Sequence, residues 1–208
     1  MTASDRSNAA SRARPPVAVP EDDAIFRIAQ LLLLLGSMAD QGRPSATIER
    51  LSYYDFLVAN PLLVVTDDDD PDRMALLMAG FDSRALHYAS PTHRFTTRRE
   101  RLQHDLALLV SYGLVAPSVD KAVHYAVTSS GRELAGRFTA IYAHAYRTSA
   151  EILIRRLHRM SDTRLREQAR QWTTFDATSA WEPDGGLFEL ELLRADKPDS
   201  DFDERPGR

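Results

Sequence analysis

Residues 95–135, FTTRRERLQHDLALLVSYGLVAPSVDKAVHYAVTSSGRELA, constrain this chain more than any other stretch. Phe95, Leu102, Leu106, Leu109 and Val110 recur at helical spacing and predict a helix over 96–112. Gly113 follows, where a helix C-terminus needs a residue that tolerates left-handed geometry. Leu114 and Val115 open a strand, and 122–127 pairs with it across a turn near 118–121. Thr128 and Ser130 are candidate caps of the next helix, and Ser130 with Glu133 has capping-box spacing.

A helix, a glycine stop, a two-stranded ribbon and a capped helix form the second half of a winged helix-turn-helix. The "YGLV…YAVTSSG" pattern resembles the ending of many winged-helix proteins, small bacterial repressors among them. The expected fold is mainly α with a small β-wing: a winged helix-turn-helix over 21–130, then a long helical extension within 131–194. Disordered tails are expected at 1–20 and 195–208. Such a module docks on nucleic acid or on other proteins.

Upstream, Glu21, Asp22 and Asp23 suit the first turn of a helix reaching about residue 39. Ile25, Ile28, Leu32 and Leu35 form a stripe, while Phe26, Leu31, Leu33 and Leu34 carry the apolar surface almost all round. A helix apolar on every side is buried on every side. It is either the centre of the domain, the favoured reading, or part of an interface with another chain. A second helix is expected over 48–59, capped by Ser45 or Thr47 and ended by Asn60-Pro61. Residues 62–65 are a candidate strand. Asp67–Asp70 is interrupted by Pro71 and lacks the glycine and distal glutamate of a calcium loop. It reads as an exposed acidic loop capping a short helix over 73–79. Residues 83–94 read as a polar connection. After 131, Leu134, Phe138, Ile141, Ala145 and Ile152 predict one long helix to about 160. A second runs from Ser161 to Trp172, and the two together suit a dimer or partner arm. Phe188, Leu190 and Leu192 alternate with glutamates and favour an edge strand, with a short helix as the alternative.

The chain has 208 residues and no cysteine, so disulfides, thiol nucleophiles and Cys-ligated metals are excluded. The net charge of −4 gives no global bias toward nucleic acid. Arginine supplies nearly all the positive charge, and acidic residues dominate from Asp176 to Glu204. The six histidines show no zinc-site spacing, and no nucleophile elbow or phosphate loop is present. A protein without catalytic, cofactor or metal residues is expected. The N-terminal residues lack a signal-peptide core and the leucine run 31–35 is too short for a membrane span, which points to the cytoplasm.

On the helix before the ribbon, Thr97, Arg101 and His104 point away from the leucine stripe, with Arg94 and Arg98 near its start. With Lys121 and His124 in the wing, these are the candidate nucleic-acid ligands. Glu100, Asp105 and Asp120 oppose that reading. Candidate partner-interface residues are Leu31, Leu34, Leu108, Phe138 and Tyr142.

Two segments carry a narrower likeness. The leucine-rich 26–65, with LSYYDFLVANPLL, joined to 94–115, RFTTRRERLQHDLALLVSYGLV, resembles the middle components of bacterial ABC-three-component systems over roughly 24–135. The resemblance implies a non-enzymatic winged-helix adaptor. Its partners would be an ABC ATPase of the SMC/RecN type and an effector protein, in defence against phage or other invading DNA. DNA and a second copy of the chain are further candidate partners. The alternative is a dimeric winged-helix transcription regulator.

Overall fold

The computed structural model describes residues 23–82 and 91–173. The expected tails, most of the connection 83–94 and the strand expected over 187–192 lie outside the described residues.

Helix α1 (Ala24–Asp40) begins where the Asp23 carboxylate accepts from the Ile25 amide at 2.8 Å. From Gln30 to Met38 every residue is buried, and α1 is the central helix of the packed unit. The turn after it uses Gly42 at φ +73°. Strand β1 (Ser45–Thr47) then leads directly into α2 (Ile48–Ala59), where Thr47 Oγ1 accepts from the Arg50 amide. The helix expected over 48–59 is therefore found, and the three-residue β1 before it was not anticipated.

Asn60-Pro61 stops α2 as anticipated. The run after it is a 3-10 turn (Pro61–Leu63) and not the candidate strand. Its apolar residues pack into the core, and a single helical turn buries them without an edge to pair. Helix α3 (Pro71–Met78) follows, with Asp70 capping it and Pro71 in its first turn.

Helix α4 (Pro91–Ser111) is longer than the expected 96–112 at its N-terminal end. Gly113, at φ +68°, turns the chain into β2 (Val115–Asp120), which pairs antiparallel with β3 (Ala122–Val127). The hairpin turns at Lys121, whose φ of +53° is left-handed. Strand β1 adds to the far side of β3 in the order β1-β3-β2, with Ala46 opposite Tyr125.

Thr128 caps α5 (Ser129–Gly136): its Oγ1 accepts from the Gly131 amide at 3.0 Å and donates to the Gly113 carbonyl at 2.8 Å. The hydroxyl thus ties both ends of the ribbon together, and the cap falls on Thr128 where Ser130 was the other candidate. Gly131 has no room for a side chain. A Cβ there would stand 2.1 Å from the Leu114 carbonyl oxygen and 2.9 Å from Val127 Cγ2. Gly131→Ala should lower the urea midpoint by the equivalent of about 1–3 kcal/mol or more, because backbone must move. A midpoint within experimental error of wild type would show that the α5–β2 contact is loose.

The single long helix expected after 131 is broken. It ends at Gly136 and restarts as α6 (Ile141–Leu157). Arg147 explains the break: from α6 its guanidinium donates to the carbonyls of Phe138, at 2.9 Å, and Ala135. An arginine from the next helix thus completes the end of α5. Helix α7 (Asp162–Thr173) restarts as expected.

The expected arm is absent from 141–173. Helix α6 packs against α1 and α2, α7 packs against α2 and α4, and Leu153, Leu157 and Leu165 are buried. The described residues all belong to one compact unit, so residue 130 is no packing boundary. Among them the architecture is mainly helical with a small three-stranded antiparallel sheet.

Candidate functional site

Two arginine–aspartate pairs lie where the helices meet. Arg98 of α4 holds Asp55 of α2 with Nε–Oδ2 at 3.0 Å and Nη2–Oδ1 at 3.2 Å, and Nη2 donates to Gln30 Oε1 at 2.9 Å. Both ionic side chains are about nine-tenths buried. Gln30 passes the link on by donating to Tyr142 Oη. Alongside, Arg27 of α1 clasps Asp105 of α4, at 2.8 and 3.0 Å. A fork of planar donors facing two carboxylate oxygens fixes orientation as well as charge. Burial by itself would lower the pKa of Arg98, but the Asp55 carboxylate outweighs it and raises it well above the usual arginine range. Tyr146, wholly buried beside them, has its phenol pushed well up, chiefly by desolvation.

The candidate nucleic-acid ligands are thus not one surface. Arg98 is corrected from phosphate ligand to internal clamp. It stands three residues after Phe95 and four before Leu102, so it falls within the buried stripe. The same spacing puts Asp105 inside, so it is no acidic flank of an outer face. Thr97 and Arg101 are half-buried, and half-buried Arg94 lines a cleft with Pro61, Phe81 and Tyr142. His104 is exposed, as is Lys121 at the hairpin turn. Half-buried His124 turns its Nδ1 to the Ala122 carbonyl at 3.0 Å.

The outward face of α4 instead carries Thr96, Arg99, Glu100, Gln103, His104 and Ala107. Arg99 was not anticipated; its place opposite the 95-98-102-105 stripe is the signal that marks it. This face borders a groove of about 930 Å³ between α2, α4 and α7, with Tyr53 and Phe95 in its floor and Arg99, Glu100 and Arg166 along its sides. Arg166 is engaged by Glu49 across the groove. The lining mixes both signs of charge over an aromatic floor.

The candidate partner residues also separate. Leu31 and Leu34 are 1% and 0% exposed and belong to the core, which corrects their reading as an interface. Leu108 and Phe138 are half-buried. Tyr142 is 45% exposed, with its ring 5.1 Å from Phe26.

The acidic run, read in the sequence as an exposed loop capping the next helix, does cap α3 at Asp70 and also anchors it. Asp70 accepts from its own helix at the Asp72 amide and from Arg156 of α6. Asp72 accepts from Arg156 Nε at 2.7 Å and from Arg155 at 2.6 Å. Burial alone would raise the pKa of Asp72, but the hydrogen bonds from Arg156 and Arg155 lower it below the usual carboxylate range. A depressed folded pKa adds stability that is present above the unfolded value, near about 3.9 for aspartate, and lost as pH falls through the folded value. Asp72→Asn should therefore be less stable than wild type at pH 7. The gap should close as pH drops below about 4. A gap independent of pH in urea titrations would rule out the ionic contribution.

Among the described residues no group of three or more His, Asp or Glu side chains could hold a metal ion, and no helix is long and apolar enough to cross a membrane.

Residues 78–175, which span α4 to α7 with the β2–β3 ribbon, match the family model described as ABC-three component (ABC-3C) system Middle Component 2. The match, over just under half of the chain, supports its identification as an ABC-3C middle component. It overlaps the resemblance read over 24–135 only in part: the leucine-rich α1 and α2 lie before it, and α6 and α7 extend it. No curated protein and no solved structure matches the chain.

Proposed function

We propose that this middle component is a non-enzymatic winged-helix adaptor that joins an SMC/RecN-like ABC ATPase to an effector in defence against invading DNA. The observation that carries the fold reading is β1. A strand between α1 and α2 that pairs with the β2–β3 ribbon on the β3 side supports a winged-helix reading, in which α4 would hold the recognition position. Two features favour a protein partner over a sequence-specific DNA site. Arg98 is engaged internally, and the outer face of α4 sets Arg99 and His104 beside Glu100. A dedicated phosphate-binding face would be basic throughout.

The reading is tested by co-expressing the chain with the ATPase and the effector encoded beside it. A stable complex with at least one of them is expected on size-exclusion chromatography. DNA retention in a gel shift should be weak, reduced by Arg99→Glu with Lys121→Glu, and lost as salt rises. A sharp, salt-resistant footprint on its own promoter, with neither protein bound, would establish the dimeric transcription regulator instead.

A further inference from the structure

Helix α3 is held firmly yet shows its apolar side to solvent. Met74, Leu77 and Met78 are 56%, 41% and 83% exposed, and their i, i+3, i+4 spacing puts them on one face. Only Leu76 of this helix is buried. The inner side is clamped: Asp70 and Asp72 meet Arg155 and Arg156, and Arg73 donates to the Val65 carbonyl and pairs with Asp68. Such a clamp fixes the helix in place before any partner arrives, which lowers the ordering cost of association. Methionine and leucine on a fixed helix form an adaptable apolar contact surface.

The flank of this face is acidic. Asp67, Asp68 and Asp69 are exposed, and Asp67 and Asp69 meet no basic side chain among the described residues. The counter-charges from α6 are used one turn further on, at Asp70 and Asp72.

We infer that the outer face of α3, with the acidic loop 67–69 beside it, docks into an apolar groove rimmed by lysine and arginine on another protein component of the system. The inference rests on the adaptor reading and names the surface that serves it. The apolar face supplies burial, and the carboxylates set orientation and speed encounter with a basic rim.

The test uses the full chain with the two co-encoded proteins, each titrated by isothermal calorimetry. Met74→Ser/Leu77→Ser/Met78→Ser should weaken binding to one of them about 10- to 100-fold, as loss of a central apolar anchor does. Circular dichroism should be unchanged, because Leu76 and the arginine clamp remain. Asp67→Asn/Asp69→Asn should flatten the salt dependence of the same complex. Unaltered affinity in the triple-serine variant, with the wild type bound, would overturn this inference and leave the adaptor reading standing. Wild-type failure to bind either protein would overturn both. A wild-type homodimer that the triple-serine variant loses would overturn it too, by making a second copy the occupant.

Discussion

Arg98→Ala should cost about 3–5 kcal/mol of folding stability, a large share of the roughly 5–15 kcal/mol of an ordinary domain. The substitution leaves the Asp55 carboxylate and Gln30 Oε1 in the interior without their donor, beside a Tyr146 hydroxyl that has no partner among the described residues. Breaking one half of a buried pair is worse than never having it, because the remaining charge keeps its desolvation penalty. Two comparisons sharpen the result. Arg98→Met with Asp55→Leu, which removes both charges and keeps volume, should recover much of the loss in urea unfolding followed by circular dichroism. Arg98→Lys should recover less, since an ammonium cannot span both carboxylate oxygens and Gln30 with a planar fork. A loss under about 1 kcal/mol for Arg98→Ala would place this guanidinium in solvent and return it to the list of phosphate ligands.

The second large effect concerns the leucine run. Leu31→Asp with Leu34→Asp should abolish the helical circular dichroism signal at 25 °C. Each leucine lies in the core of the central helix, where truncation alone to alanine costs about 2–5 kcal/mol. An aspartate adds an unpaired carboxylate that the interior can accept only by protonating it or by opening to water. Leu34→Ala by itself should stay folded and lose about 2–5 kcal/mol in urea. A double-aspartate variant with a native spectrum and failed partner binding would mean that these leucines face another chain.

The local signals were legible because each acts within a few residues. Asp23 and Thr47 start helices through a side chain bonded to the next turn, Asn60-Pro61 ends one, and Gly113 allows the positive φ that the ribbon needs. Thr128 closes the ribbon for the same kind of reason. Where local signals were silent, the expectations missed. Strand β1 is three residues long, too short for alternation to register, and exists because β3 offers it an edge. The break between α5 and α6 has Gly136 at its start, but what stabilises it is Arg147, a residue of the next helix. Residues 62–65 are apolar enough for a strand, yet the chain there forms the 3-10 turn Pro61–Leu63 and buries Leu62, Leu63 and Val65 in the core.

The site was less legible than the fold. Helical periodicity placed Phe95, Leu102, Leu106 and Leu109 correctly, yet assigned the charged residues between them to solvent by type. Position within the stripe was the better guide for Arg98 and Asp105. Their partners, Asp55 and Arg27, lie 43 and 78 residues away in the chain. The acidic run 67–70 divides in the same way: its last carboxylate meets Arg156, 86 residues distant, while Asp67 and Asp69 stay outside.

By itself the sequence determined the ribbon and those helix ends that carry a cap, glycine or proline, because these act on their own backbone. It also carried the family likeness, in 26–65 joined to 94–115, of which the second segment lies within the matched residues 78–175. The tertiary structure alone decided which charges are internal, that α6 and α7 wrap the centre of the unit, and that α3 shows methionines to solvent. Those outcomes depend on what packs against a side chain from far along the chain, and a periodic stripe reports only which face a residue occupies.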